Sequence, residues 1–342
     1  MPKTSNAELH VVLGAGQVGP QVAELLLARG HRVRIARRSS APSRVPGVET
    51  VAVDVRDAAA VVRAVEGATV VYNCVSPPYH QWPTMLLPMI RGIVDGVTRA
   101  EARLVALDCL YMYGDTTHMN EQTPVGPVSR KGQLRLESAK YMLDADARGD
   151  VRVAIGRAAD FFGPETPLAM LGEHFFGRVL AGKSAQLFGD PDQLHSYSFT
   201  PDVAAGLVAL GASNDAHGVW MLPVQPAETT RAVVGRFARA LGREIDIATV
   251  PTWVVRMIGI FQPMMRELAE MTYQWKQPYV LDDTKLRTAF GIEPTPWDEA
   301  VAQTVTWARS TFGGKDETTR QERVVASGAA RSPSSAGLFR AP

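Results

Sequence analysis

Between Leu9 and about Gly156, short β-branched apolar runs alternate with stretches whose apolar residues recur every three or four positions. The runs His10-Val11-Val12-Leu13, Arg32 to Ala36, Val48 to Val53, Thr69 to Tyr72, Leu104 to Leu107 and Val151 to Ile155 predict six parallel strands. Between them, Val18 to Ala28 carries Val22, Leu25 and Leu26 on one helical face and stops at Arg29-Gly30, while Asp57 stands as N-cap before Ala58-Ala59-Ala60-Val61-Val62. The alternation predicts an α/β fold with a doubly wound parallel sheet over residues 1–160. Beyond Phe161 glycine and proline become frequent and strands shorten, so a smaller C-terminal α+β lobe is expected over 161–312, with room for some of its strands to return to the first sheet. There, Thr200 is expected as N-cap and Pro201 at the first position of a helix, and the apolar stretch Pro251 to Met271 is expected as a helix kinked at Pro263. Residues 313–342 are Ser-, Gly-, Ala- and Arg-rich and predict a disordered tail.

Charge narrows the partners. The 342 residues carry 36 Lys plus Arg against 35 Asp plus Glu, a net charge of +1, which gives no field for a nucleic acid. No leader-like or membrane-spanning run is apparent, so a cytoplasmic protein without a membrane partner is expected. The two cysteines, Cys74 and Cys109, are too few for a disulfide framework or a thiolate zinc site, and no metal ligands are assigned. Whether the chain forms a homodimer is left open.

The first strand runs into Gly14-Ala15-Gly16-Gln17-Val18-Gly19 and then directly into a helix. Gly14 permits the tight turn, Gly16 lets the backbone approach a pyrophosphate, and Gly19 lets helix and strand pack closely; the helix N-terminus adds N–H groups and a positive dipole end. A glycine loop in this strand-loop-helix context predicts a Rossmann domain that binds a dinucleotide. At the end of the second strand an NAD site uses an acid for the ribose hydroxyls, yet no Asp or Glu lies between Glu24 and Glu49. Arg37-Arg38-Ser39-Ser40 stand there instead, which favours NADP, with NAD as the other cofactor considered, unless the turn merely faces solvent.

In this order the motifs resemble the extended and atypical short-chain dehydrogenases/reductases, the NAD(P)-dependent epimerase/dehydratase group, from Leu9 to about Phe312. The elements are the glycine loop, Asp54-Val55, Asn73-Cys74-Val75-Ser76-Pro77-Pro78, Asp108-Cys109-Leu110-Tyr111-Met112-Tyr113-Gly114, Gly156 to Pro164, and His195 to Val203. The resemblance implies that Gly14, Gly16, Gln17, Val18, Gly19, Asp54, Val55, Asn73, Cys74 and Val75 border the cofactor, with Arg37 and Arg38 at its ribose. It also implies a catalytic Ser or Thr four residues before Tyr113, and a Tyr-x-x-x-Lys on the next helix. Here Cys109 holds the first position, and the helical segment that fits by spacing is Lys131-Gly132-Gln133-Leu134-Arg135, with Lys for Tyr and Arg for Lys.

Three functions compete on these residues. The first is an NAD(P)-dependent oxidoreductase acting on a small, apolar carbonyl or enone, with Lys131 as proton-transfer group, its pKa lowered by burial and by Arg135, and with Tyr111 or Tyr113 as alternative donors and Asp108 as orienter. The second is a dinucleotide-binding sensor that has lost chemistry; the third is a nucleotide-sugar epimerase or dehydratase, which the missing Tyr disfavours. Lys131 is otherwise a solvated lysine at a helix start, and His195 a core or surface histidine. Tyr79, His80 and Trp82, on the side expected for the nicotinamide, and the Met-rich helix suggest the apolar substrate.

Overall fold

The alternating pattern resolves into one parallel sheet in the computed structural model, which describes residues 7–260 and 263–313. Its strands are β1 (Leu9–Leu13), β2 (Arg32–Arg37), β3 (Glu49–Ala52), β4 (Ala68–Asn73), β5 (Arg103–Asp108), β6 (Val153–Arg157) and β7 (Gly218–Met221), in the order β7-β6-β5-β4-β1-β2-β3. The helices are α1 (Gly19–Ala28), α2 (Ala58–Val65), α3 (Trp82–Arg99), α4 (Arg130–Ala147), α5 (Glu173–Leu180), α6 (Thr200–Ala212), α7 (Thr230–Leu241), α8 (Thr252–Gly259), α9 (Pro263–Ala269), α10 (Thr284–Phe290) and α11 (Trp297–Phe312). One sheet face is covered by α2, α3 and α4 through residues such as Val61, Ile90, Ile93 and Met142. The other is covered by α1 and α6 through Val22, Leu26, Val203 and Leu207. Burial on both faces is why β1, β4 and β5 read as continuous apolar runs rather than alternating ones. A third core, built on Phe162, Phe176, Phe237 and Trp297, gathers α5, α7 and α11.

Several expectations change. To the six strands read from the first half the sheet adds a seventh, within the room left for later strands to return: β7 comes from the later part of the chain and pairs with β6 from Gly218↔Ala154 to Met221↔Arg157. Its four residues, opened by Gly218 at positive φ, are too short to show an alternation. Thr200 is not a capping side chain. It lies inside α6, and its hydroxyl accepts from Gln21 Nε2 at 3.1 Å and donates to the Pro164 carbonyl, tying α1, α6 and the loop after Phe162 together. The stretch Pro251 to Met271 is two helices rather than one kinked helix: α9 starts at Pro263, where a missing N–H costs nothing, and crosses α8 so closely that a Cβ on Gly259 would sit 2.9 Å from the Arg266 backbone. The expected tail after Gly313 lies outside the described residues, as do residues 1–6. Among the described residues no helix is long and apolar enough to cross a membrane.

Candidate active site

The sheet reverses its order at β1 and β4, and the crevice beyond their carboxyl ends is where α/β sheets of this kind hold ligands. Gly14 adopts φ +106°, and a Cβ there would lie 3.0 Å from the Cys74 carbonyl oxygen and 3.1 Å from Val75. A Cβ on Gly19 would lie 2.1 Å from the Gly14 carbonyl oxygen, so the first turn of α1 is pressed directly on the loop. At Gly16 a Cβ would meet nothing within 4 Å. The loop is therefore packed behind and open in front, at a helix N-terminus, which fits a dinucleotide pyrophosphate. Val18 is buried beneath it, and Gln17 turns its side-chain oxygen to the Leu168 N–H at 2.9 Å, linking the loop to the segment after Phe162.

Around this loop lie the other strand ends expected to border a cofactor. Asn73 accepts from the Val75 N–H at 3.1 Å, and the Cys74 N–H donates to the Leu13 carbonyl at 2.9 Å, so the turn after β4 is held against the glycine loop. Arg37 ends β2 half-buried and Arg38 is exposed beside it; among the described residues neither guanidinium has a hydrogen bond or ion pair. The Asp54 carboxylate grips Arg56 at 2.6 Å, which holds its pKa below the ordinary value, and Val55 is buried behind it.

The residues expected at the reacting end do converge. Ser129 caps α4 by accepting from the Gly132 N–H at 3.0 Å, and the helical spacing then puts Lys131 and Arg135 on one face. Arg135 donates to Ser76 Oγ at 3.0 Å and to Asp108 at 3.4 Å, and stacks 4.2 Å from the Trp82 ring. Asp108 is also approached by Arg157, which donates to the Tyr113 hydroxyl at 2.5 Å, so that hydroxyl is already engaged by a guanidinium. The Tyr111 and Tyr79 hydroxyls are 2.6 Å apart, with Trp82 against both rings. Burial pushes Tyr79 up to about 12 and Tyr111 well above the ordinary phenol range. Burial likewise pushes the Cys109 and Cys74 thiols up to about 12, so neither is a thiolate nucleophile at neutral pH.

Lys131 sits differently from expectation. Its side chain is 3% exposed and its ammonium is held between Glu267 of α9 and Glu270 just beyond it, 2.8 Å from the latter, while the Lys131 N–H donates to Glu270 at 3.0 Å. A substrate oxygen would have to displace a carboxylate to reach it. Neither glutamate was singled out by sequence, because a lone acid at a helix end gives no signal of the buried lysine it meets. Asp160, also missed, accepts from His195 Nε2 at 3.0 Å. His195 is buried and stacks with Tyr279 and Trp275, and among the described residues the buried Tyr279 hydroxyl has no hydrogen-bond partner. The Met-rich segment thus walls the site with charge through α9, while Trp253, Met257 and Ile260 of the preceding helix and its end are exposed.

The geometry has counterparts among known proteins. The model of the NAD dependent epimerase/dehydratase family matches residues 10–220. A dTDP-6-deoxy-L-talose 4-dehydrogenase (NAD(P)(+)) of Kitasatospora kifunensis is 24% identical over 269 residues, 73% of this chain and 84% of that protein. Among solved structures, the UDP-N-acetylglucosamine 4-epimerase of Bacillus cereus superposes with a TM-score of 0.72 at 15% identity, covering 90% of this chain and 98% of that one. The dTDP-glucose 4,6-dehydratase of Streptomyces venezuelae, solved with NAD, gives 0.73 at 19% identity over 90% of this chain and 99% of its own.

Proposed function

Because the chain belongs to the NAD dependent epimerase/dehydratase family, we propose that it is an NAD(P)-dependent oxidoreductase interconverting a carbonyl and a hydroxyl on a small, largely apolar substrate, with Tyr111 as the proton donor. The observation that carries this is the Tyr79–Tyr111 hydroxyl pair at 2.6 Å, in a crevice where Cys109, Lys131 and Arg135 replace the usual relay. When bound, the nicotinamide cofactor supplies or accepts the hydride. In the reducing direction the Tyr111 phenol gives its proton to the carbonyl oxygen as that oxygen gains negative charge. The Tyr79 hydroxyl then donates to the Tyr111 phenolate, and the nearby Arg135 guanidinium stabilises it electrostatically. Trp82, Tyr79 and Tyr279 supply apolar surface and exclude water.

Substrate charge follows from the pairing. Lys131 is engaged by two glutamates, and Arg135 and Arg157 share Asp108, so the cations of the crevice are committed to carboxylates. A diphosphate would have to break these pairs and face Asp160 as well. A second reading, a nucleotide-sugar substrate, is supported by the names of the relatives, and the Kitasatospora protein is itself a dehydrogenase. A panel of ketones, aldehydes, enones and nucleotide 4-keto-sugars separates the two by NAD(P)H oxidation. Turnover confined to the nucleotide sugars would replace the first reading with the second. Dinucleotide binding with no turnover on any member would point to a sensor.

Two expectations can be tested at once. NADPH is expected to bind more tightly than NADH by roughly 10-fold, the lower end of what one charge-assisted arginine contact of about 1.5–3 kcal/mol provides, because the rim is exposed. Fluorescence titration of Arg37→Ala/Arg38→Ala should show NADPH weakened and NADH unchanged; equal affinities in the unaltered protein would mean the arginines face solvent. Lys131→Met strands two part-buried carboxylates and is expected to cost about 1–3 kcal/mol of stability, below the full cost for a buried pair, with turnover within roughly tenfold of the parent. A loss of roughly 10²-fold with an unchanged urea midpoint would make Lys131 the proton-transfer group instead.

A further inference from the structure

Far from the crevice, at the amino ends of β1 and β2, Glu8, His10 and His31 bring their ligand atoms within 4.8 Å of one another. We propose that these three side chains form a site for a zinc-type divalent cation, with a water completing the coordination. Parallel pairing makes the cluster: the Arg32 N–H donates to the Glu8 carbonyl at 3.0 Å, so the residue before β1 and the residue before β2 are neighbours, and His10 follows on the α1/α6 face.

His10 is the second and independent observation. It is 2% exposed, the Tyr72 hydroxyl engages Nδ1 at 3.2 Å, and Nε2 is buried without a hydrogen-bond partner among the described residues, 3.5 Å from the Glu8 carboxylate. A ring nitrogen held by a fixed partner while the other faces a carboxylate and a second imidazole is the usual arrangement of a metal-bound histidine. The Arg103 guanidinium is turned to the carbonyls of Gly211 and Ser213. Two imidazoles and one carboxylate suit zinc or another late first-row ion rather than calcium or magnesium. The ion would staple β1 to β2 at the end opposite the glycine loop, so its effect is on stability rather than on the reacting groups.

Titration calorimetry of the full chain without an affinity tag, with zinc as the only ligand, tests this. One zinc per chain is expected, together with a rise of a few degrees in melting temperature at saturation, on the order expected for a ligand that binds only the folded state. Cobalt in its place should give the visible bands of a four-coordinate ion. Glu8→Gln and His31→Asn, at positions exposed enough to spare the fold, should each weaken zinc roughly 10- to 100-fold. His10→Ala should abolish binding if it folds. No saturable zinc binding, or binding unchanged in both the Glu8→Gln and His31→Asn variants, overturns the site.

Discussion

Replacing Tyr111 by phenylalanine is expected to lower turnover roughly 10²- to 10⁴-fold while leaving dinucleotide affinity within about twofold. The substitution removes one hydroxyl and keeps the ring that packs on Trp82, so neither the crevice nor the cofactor surface should change. Tyr79→Phe should cost less, since it deletes the group that donates to the Tyr111 oxygen rather than the proton itself. Burial keeps the Tyr111 pKa well above 10.0, so the proton is in place at any ordinary assay pH. Turnover in the reducing direction should therefore show no alkaline limb from this group below that value, while oxidation, which needs the phenolate, should rise with pH. Single-turnover rates of both variants across pH decide the matter. A Tyr111→Phe protein with parental turnover would remove the phenol from the chemistry.

The phosphate loop allows an equally sharp separation of folding from binding. Gly16→Ala is expected to leave stability unchanged, because its Cβ meets nothing within 4 Å, yet to weaken NADPH roughly tenfold or more by filling the space the pyrophosphate approaches. Gly19→Ala is expected to fail in the other way. Its Cβ would lie 2.1 Å from the Gly14 carbonyl oxygen, a backbone atom that cannot turn aside, so α1 must move off the sheet at a cost of about 1–3 kcal/mol or more. Urea denaturation in the absence of cofactor should show the loss at Gly19 and none at Gly16. Destabilisation of equal size at both would mean that the space before Gly16 is closed in solution.

Much of this protein is determined locally. A run such as Val11-Val12-Leu13 followed by Gly14-Ala15-Gly16 forms a strand and then a tight loop because neighbouring residues set backbone preference and which face is apolar. The six strands, the loop and the shared helical face of Lys131 and Arg135 could accordingly be read from adjacent residues. The seventh strand could not: four residues carry no period, and only the exposed edge of β6 makes Gly218–Met221 a strand. Pro263 could be read as a break, but whether it bends one helix or starts another depends on the close crossing at Gly259.

The sequence by itself therefore determined the α/β class, the dinucleotide loop and the absence of the usual Tyr-x-x-x-Lys. The tertiary structure alone decided what surrounds each ionisable group. Lys131 meets Glu267 and Glu270 across 136 and 139 residues of chain, and Tyr79 meets Tyr111 across 32. Whether a buried lysine is a free base or one member of an ion-paired cluster depends on charges within a few ångströms. Sequence spacing carries that information only along a single helix or strand, whereas here the partners arrive by the packing of separate elements.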